Sequence, residues 1–141
     1  MFRRIARGVA LAALTALAGA CGSTTTVVQP TPVTVNESFQ GTLIPASAGV
    51  FTFTSTLTGG TVVTTLTALG PDSTKTVGLA LGTFNGAVCT VILVNPAATQ
   101  GFSFNATSSS VGTYCVRIYD NGSTSADNVP YTFSITVSHP Q

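Results

Sequence analysis

The stretch Val129-Pro130-Tyr131-Thr132-Phe133-Ser134-Ile135-Thr136-Val137-Ser138 decides the fold class of this chain. In an extended strand, successive side chains point to opposite faces. Val129, Tyr131, Phe133, Ile135 and Val137 therefore share one face, and Pro130, Thr132, Ser134, Thr136 and Ser138 share the other. One face suits a core and the other suits water, as in an antiparallel sheet with one solvated side.

The same period of two recurs toward the N-terminus. Phe51, Phe53 and Ser55 alternate with Thr52, Thr54 and Thr56. Val62, Thr64, Leu66 and Ala68 oppose Thr61, Val63, Thr65 and Thr67. In the segment 113–119, Tyr114, Val116 and Ile118 form the expected core face, with Cys115, Arg117 and Tyr119 outside. Further strands are expected over 38–44, 76–83, 88–94 and 101–105. The run from Val88 to Val94 is apolar almost throughout and reads as an interior strand. Turn residues separate the segments: Gly59-Gly60, Gly70-Pro71-Asp72-Ser73, Asn85-Gly86, Asn95-Pro96 and Asp120-Asn121-Gly122 supply positive or fixed φ. About eight short strands with no helical stretch predict an all-β antiparallel sandwich or jelly-roll.

The beginning of the chain has a different character. Arg3, Arg4 and Arg7 precede an apolar run from Val9 to Leu17, then Ala18-Gly19-Ala20 and Cys21. A basic start, a short apolar centre and a small-residue exit are the parts of an export signal. The run is shorter than the ~20 apolar residues that span a bilayer. A cysteine directly after the small residues gives it the form of a bacterial lipoprotein signal, with Cys21 lipidated; ordinary secretory cleavage after Ala18-Gly19-Ala20 is the competing reading. The expected organisation is a signal peptide over 1–20, a lipidated Cys21 with a flexible tether over 21–36, and a sandwich domain over 37–139. The tether rests on Gly22-Ser23-Thr24-Thr25-Thr26 and Gln29-Pro30-Thr31-Pro32, which have little to bury. The expected location is a membrane anchorage at the outer membrane or cell surface, or else secretion.

Removal of 1–20 leaves Lys75 and Arg117 against Glu37, Asp72, Asp120 and Asp127, two positives and four negatives, for a net charge of −2. Two scattered basic residues cannot neutralise a run of phosphates, which excludes nucleic acid as a partner. Once Cys21 is assigned to lipid, Cys89 and Cys115 remain, and in an oxidising compartment they are expected to pair, with their strands adjacent. Closing a loop of roughly 27 residues corresponds to about 3.5 kcal/mol in the chain-entropy model.

The chemical inventory is sparse. His139 is the only histidine and is expected beyond the last strand, where a terminal tail holds a base poorly. No catalytic residues are assigned. Asp120, Asn121, Asp127 and Asn128 carry hard oxygen donors of the kind calcium takes, but a polar hairpin loop explains the same residues, and the loop is the expectation. No cofactor is expected otherwise.

Several segments together resemble the bacterial pre-peptidase C-terminal (PPC) type of β-sandwich domain: Val50-Phe51-Thr52-Phe53, Pro71-Asp72-Ser73, Gly112-Thr113-Tyr114-Cys115-Val116-Arg117-Ile118-Tyr119-Asp120 and Tyr131-Thr132-Phe133-Ser134-Ile135-Thr136-Val137. The resemblance implies an accessory or binding module beside exported enzymes, with no catalytic residues to carry over. The chain is thus expected to be a non-catalytic, lipid-anchored envelope domain with a binding, accessory or structural role, touching a membrane through Cys21 and a protein or polysaccharide ligand. The alternatives are a secreted carbohydrate-binding module, with Tyr119 and Phe84 as candidate platforms, and a small hydrolase, disfavoured by His139.

Overall fold

Period-two segments become strands throughout the computed structural model, which describes residues 31–141. The leader 1–20, Cys21 and tether residues 22–30 lie outside the described residues. In chain order the strands are β1 (Thr34–Leu43), β2 (Ala48–Ser55), β3 (Thr61–Gly70), β4 (Val77–Phe84), β5 (Cys89–Ala98), β6 (Ser103–Thr107), β7 (Gly112–Tyr119) and β8 (Tyr131–Pro140), with a 3₁₀ turn at Ser125–Asp127. They form two antiparallel sheets. Sheet A has the order β1-β8-β3-β6 and sheet B the order β2-β7-β4-β5. The chain passes from one sheet to the other at every connection but one: β4 and β5 are the sequential hairpin. The expected all-β sandwich of eight strands is the architecture observed.

The core lies between the sheets. Tyr131, Phe133, Ile135 and Val137 of β8 face Tyr114, Val116 and Ile118 of β7, and Leu79, Leu81, Val62 and Leu66 complete it. Burying a large apolar side chain contributes roughly 1.5–3 kcal/mol, so this alternation is the main driving force for folding. β1 begins at Thr34 and pairs with Pro140, so strand structure starts three residues before the boundary expected at 37. Val33 and Gln141 also exchange backbone hydrogen bonds.

The simple alternation fails in β3. The register with β8 shifts between Leu66 and Ala68, and a bulge of this kind turns the following side chains to the opposite face. Leu69 enters the core in place of Ala68, while the Thr67 hydroxyl donates to the Ser134 carbonyl at 3.0 Å. Thr64 keeps its core position, and its hydroxyl oxygen has no hydrogen-bond partner.

Sheet B departs most from expectation. β5 is an edge strand, not an interior one. The apolar run is exposed at Val88 (59%), just before the strand, and within it at Val91 (41%), Ile92 (61%) and Val94 (56%). The strand that is buried on both faces is β4: Val77, Leu79 and Leu81 face the core, and Gly78, Ala80 and Gly82 are covered on the outside. The Tyr119 ring occupies the place of a Gly78 side chain, and the backbone of Thr90 occupies that of Gly82. Glycine in a strand permits such close approach.

The crossing at Gly82 explains the disulfide. Cys89 and Cys115 are bonded, with Cα atoms 5.8 Å apart. Their strands are not neighbours, contrary to expectation, because β4 lies between β5 and β7. Gly82 pairs with Cys115 on one side and Val91 on the other. The start of β5 folds over the bare Gly82 backbone and reaches Cys115, past a register shift between Leu81 and Gly82.

Two predictions follow from these packing features. Gly82→Ala forces a methyl group into the Thr90 backbone and should cost about 1–3 kcal/mol, lowering the melting temperature by ~4–8 °C per kcal/mol; an unchanged midpoint would refute the crossing. Thr64→Val replaces an unpaired buried hydroxyl with a methyl and should raise the midpoint, since an unsatisfied buried polar group costs ~1–3 kcal/mol; a lower midpoint would contradict this.

Candidate functional site

The loop joining β7 to β8 carries the four residues considered for calcium. Asp120 is fully engaged there. Its Oδ2 accepts from the Ala46 N–H at 2.8 Å. Its Oδ1 accepts from the Thr124 hydroxyl at 2.7 Å, the Gly122 N–H at 2.8 Å and the Ser125 N–H at 3.4 Å. Burial works to raise its pKa, but these donors outweigh it and hold the carboxyl well below the usual range. Ala46 sits at φ 59, a backbone region costly for a residue with a side chain. Asp120 thus fixes a strained turn between β1 and β2.

Asp127 is engaged elsewhere. Its Oδ2 accepts from the Tyr131 hydroxyl at 2.6 Å and its Oδ1 from the Lys75 ammonium at 3.0 Å. Those bonds lower its pKa, the Tyr131 bond foremost, while the same bond pushes the Tyr131 phenol up to about 12. The Asn121 amide donates to Thr76 Oγ1 at 3.0 Å and to the Pro96 carbonyl at 2.7 Å. Asn128 closes the 3₁₀ turn at φ 50. The loop therefore ties the β1–β2 turn, the approach to β4 and the end of β5 together. Among the described residues no three His, Cys, Asp or Glu side chains gather as a metal set.

His139 is placed differently from expectation. It lies within β8, opposite Val35, and is 0% exposed. Its Nε2 is 2.9 Å from Glu37 Oε1, and its ring packs on Phe53 with centroids 5.0 Å apart. The position is firmly held, and its burial gives a substrate no access to the ring.

The two outer faces of the sandwich differ in chemistry. Sheet A presents hydroxyl and amide groups in register, including Gln40 with Ser134, Ser38 with Thr136 and Thr65 with Thr136. Across sheet B, Val50, Arg117, Ala80 and Val94 form one row. Arg117 is the sole charged residue in the four strands of sheet B. It is exposed, and its guanidinium lies 5.3 Å from the Tyr119 ring centroid, within cation–π range. Among the described residues it takes part in neither the Lys75–Asp127 ion pair nor the His139–Glu37 contact. The exposed large apolar side chains are all valine and isoleucine; Tyr119 and Phe84 are half-buried and form no aromatic platform. The alternation of β7 revealed the outward Arg117, whereas the row across it depends on strand order and had no local sequence signal.

No protein-family model and no curated protein matches the chain. The fold is similar to the crystal structure of Aeromonas hydrophila PliG, a periplasmic inhibitor of g-type lysozyme, with a TM-score of 0.54 and 17% identity over 75% of this chain and 86% of that one.

If the loop is a structural clasp, added calcium and added chelator should leave the melting midpoint unchanged; a calcium-dependent rise that Asp120→Ala removes would contradict this. The depressed Asp120 pKa predicts stability that is present above the ordinary aspartate value near ~3.9 and lost as pH falls toward the folded value. Asp120→Asn should lower the midpoint at neutral pH and flatten its decline in acid. An acid limb as steep as that of the wild type would show that Asp120 does not carry the effect.

Proposed function

We propose that this chain is a non-catalytic, exported binding module, held at an envelope membrane by a lipid on Cys21, with the outer face of sheet B as its protein-binding face. The observation that carries the reading is the row Val50–Arg117–Ala80–Val94, in which exposed Val50 and Val94, with Ile92 beside them, surround a single cation over the covered Ala80. Exposed apolar clusters mark interaction sites, and arginine and tyrosine are enriched among residues that dominate binding energy. The sandwich similarity to a periplasmic inhibitor concerns the fold; it agrees with a binding role and names no target. A stand-alone domain of the PPC type is our reading of the strand motifs. Export is supported by the leader and by the Cys89–Cys115 bond, since disulfides persist in oxidising compartments.

Anchoring and binding are tested separately. Cys21→Ser should move the domain from membranes to a soluble fraction or block its processing, and the wild type should carry acyl mass. Identical fractionation without acyl mass would end the lipoprotein reading. For binding, a photo-crosslinking residue at Val50 should yield a discrete adduct in cells, and one at Asn105 on sheet A should not. Equal adducts from both faces, or none from Val50, would contradict the assigned face.

A further inference from the structure

We propose that the end of the sandwich where the chain enters β1 is a membrane-facing surface, which seats the domain upright on a lipid bilayer through Val88 and Val111. This rests on the anchoring reading and adds orientation to it: the lipid on Cys21 tethers the domain, and the valine tips decide which way it stands.

Strand direction gathers the surface. β1 starts opposite the end of β8, with Thr34 paired to Pro140. The Gln141 side chain donates to the Thr54 carbonyl near the end of β2 at 3.2 Å, Ser55 pairs with Gly112 at the start of β7, and Phe84 pairs with Cys89 across the β4–β5 hairpin. Val33 (60% exposed), Val88 (59%) and Val111 (60%) therefore meet at one end, from three segments far apart in sequence. Val33 shares the β1 corner with polar Gln141, which leaves Val88 and Val111, on the sheet B side, as the inserting tips.

Charge separates the two ends. The connections at this end, 56–60, 85–88 and 108–111, contain no Asp, Glu, Lys or Arg. The opposite end also exposes Ile44 and Val129, but the connections there carry Asp72, Lys75, Asp120 and Asp127. A bilayer interface takes up apolar tips and rejects charge, so it fits the first end and not the second.

Hydrogen bonding favours the same end, because a polar group leaves water cheaply only when it is paired. The Gly59 N–H donates to the Ser108 carbonyl and the Ser108 N–H to the Gly60 carbonyl, both at 2.8 Å. The Ser108 hydroxyl donates to the Leu57 carbonyl at 2.8 Å, and the Tyr114 hydroxyl to the Ser110 carbonyl at 2.7 Å. Asn85 Oδ1 accepts from the Ala87 N–H at 3.0 Å and the Val88 N–H at 2.8 Å. These bonds lower the cost of moving the loops into the headgroup layer.

Reach selects this end as well. Twelve residues separate Cys21 from Val33, and a coil of that length spans about 20 Å, less than the ~33 Å of a ten-residue strand. The near end meets the bilayer without stretching the tether, and both sheet faces, with the row around Arg117, stand clear of it.

The chain contains no tryptophan, so one introduced tryptophan reports position. The protein as exported is placed on phosphatidylcholine vesicles whose acyl chains carry bromine, a contact quencher. Val111→Trp should lose most of its fluorescence. Ser73→Trp, at an exposed position on the opposite end, should lose none, which separates the contact from tryptophan's own preference for interfaces. Adding Val88→Asp to Val111→Trp should restore emission to the level of the Ser73 variant, with the protein still floating with the vesicles and its melting midpoint in detergent unchanged. Protein that floats with the vesicles but shows equal quenching at the two positions, none at 111, or quenching that Val88→Asp leaves intact overturns the membrane-facing end alone. Protein that does not float ends the anchoring reading, and this proposal with it.

Discussion

The crossing of β5 over Gly82, fastened by Cys89–Cys115, is the constraint on which sheet B depends. A strand at the end of a sheet is held by one ladder, and here that ladder slips twice against β4. The disulfide adds a second attachment, to β7, two strands away. It works because β4 has no side chain at Gly82 where the backbone of Thr90 must pass. Gly78 serves the Tyr119 ring in the same way. The small residues of β4 thus let its outer side be roofed by its neighbours, and they account for a strand buried on both faces.

The opposite consequence appears on β5. Held from behind by a covalent bond, the strand keeps exposed valines and an isoleucine that hydrophobic burial alone would draw inward. Sheet A shows no such display. Its outer side is built from serine, threonine, asparagine and glutamine in register, which keeps a nearly uncharged domain in water. The sandwich therefore has one polar outer face and one that displays apolar side chains. The Asp120 loop secures the same sheet from its end, since Asn121 holds Pro96 of β5 and Asp120 holds the turn before β2.

Much of this was legible in the sequence, and the gaps have definite causes. The β8 pattern and the two faces of β7 were readable because alternation reports directly on a face. The bulge at Thr67 was not, since one extra residue reverses the pattern without changing composition. β5 read as interior because an apolar run says that a strand carries apolar side chains, not which neighbours cover them. The cysteine pair followed from counting, but the strand lying between the two did not. His139 looked terminal because β8 runs on through Ser138 and His139 to Pro140, paired with the early residues of β1. Asp120 looked like a turn former or a calcium ligand. Its donor at Ala46 lies 74 residues away, a partner that local spacing cannot disclose.

Hydrogen exchange read residue by residue, on oxidised and on reduced protein, addresses the central claim most directly. Protection spans local openings up to global unfolding. If the disulfide at the Gly82 crossing is what holds the apolar edge strand, reduction should speed exchange at the β4–β5 amides first. The β8 amides, flanked by β1 and β3, should remain protected in the same sample. Uniform acceleration across both sheets, or β5 amides whose exchange does not respond to reduction, would contradict the account.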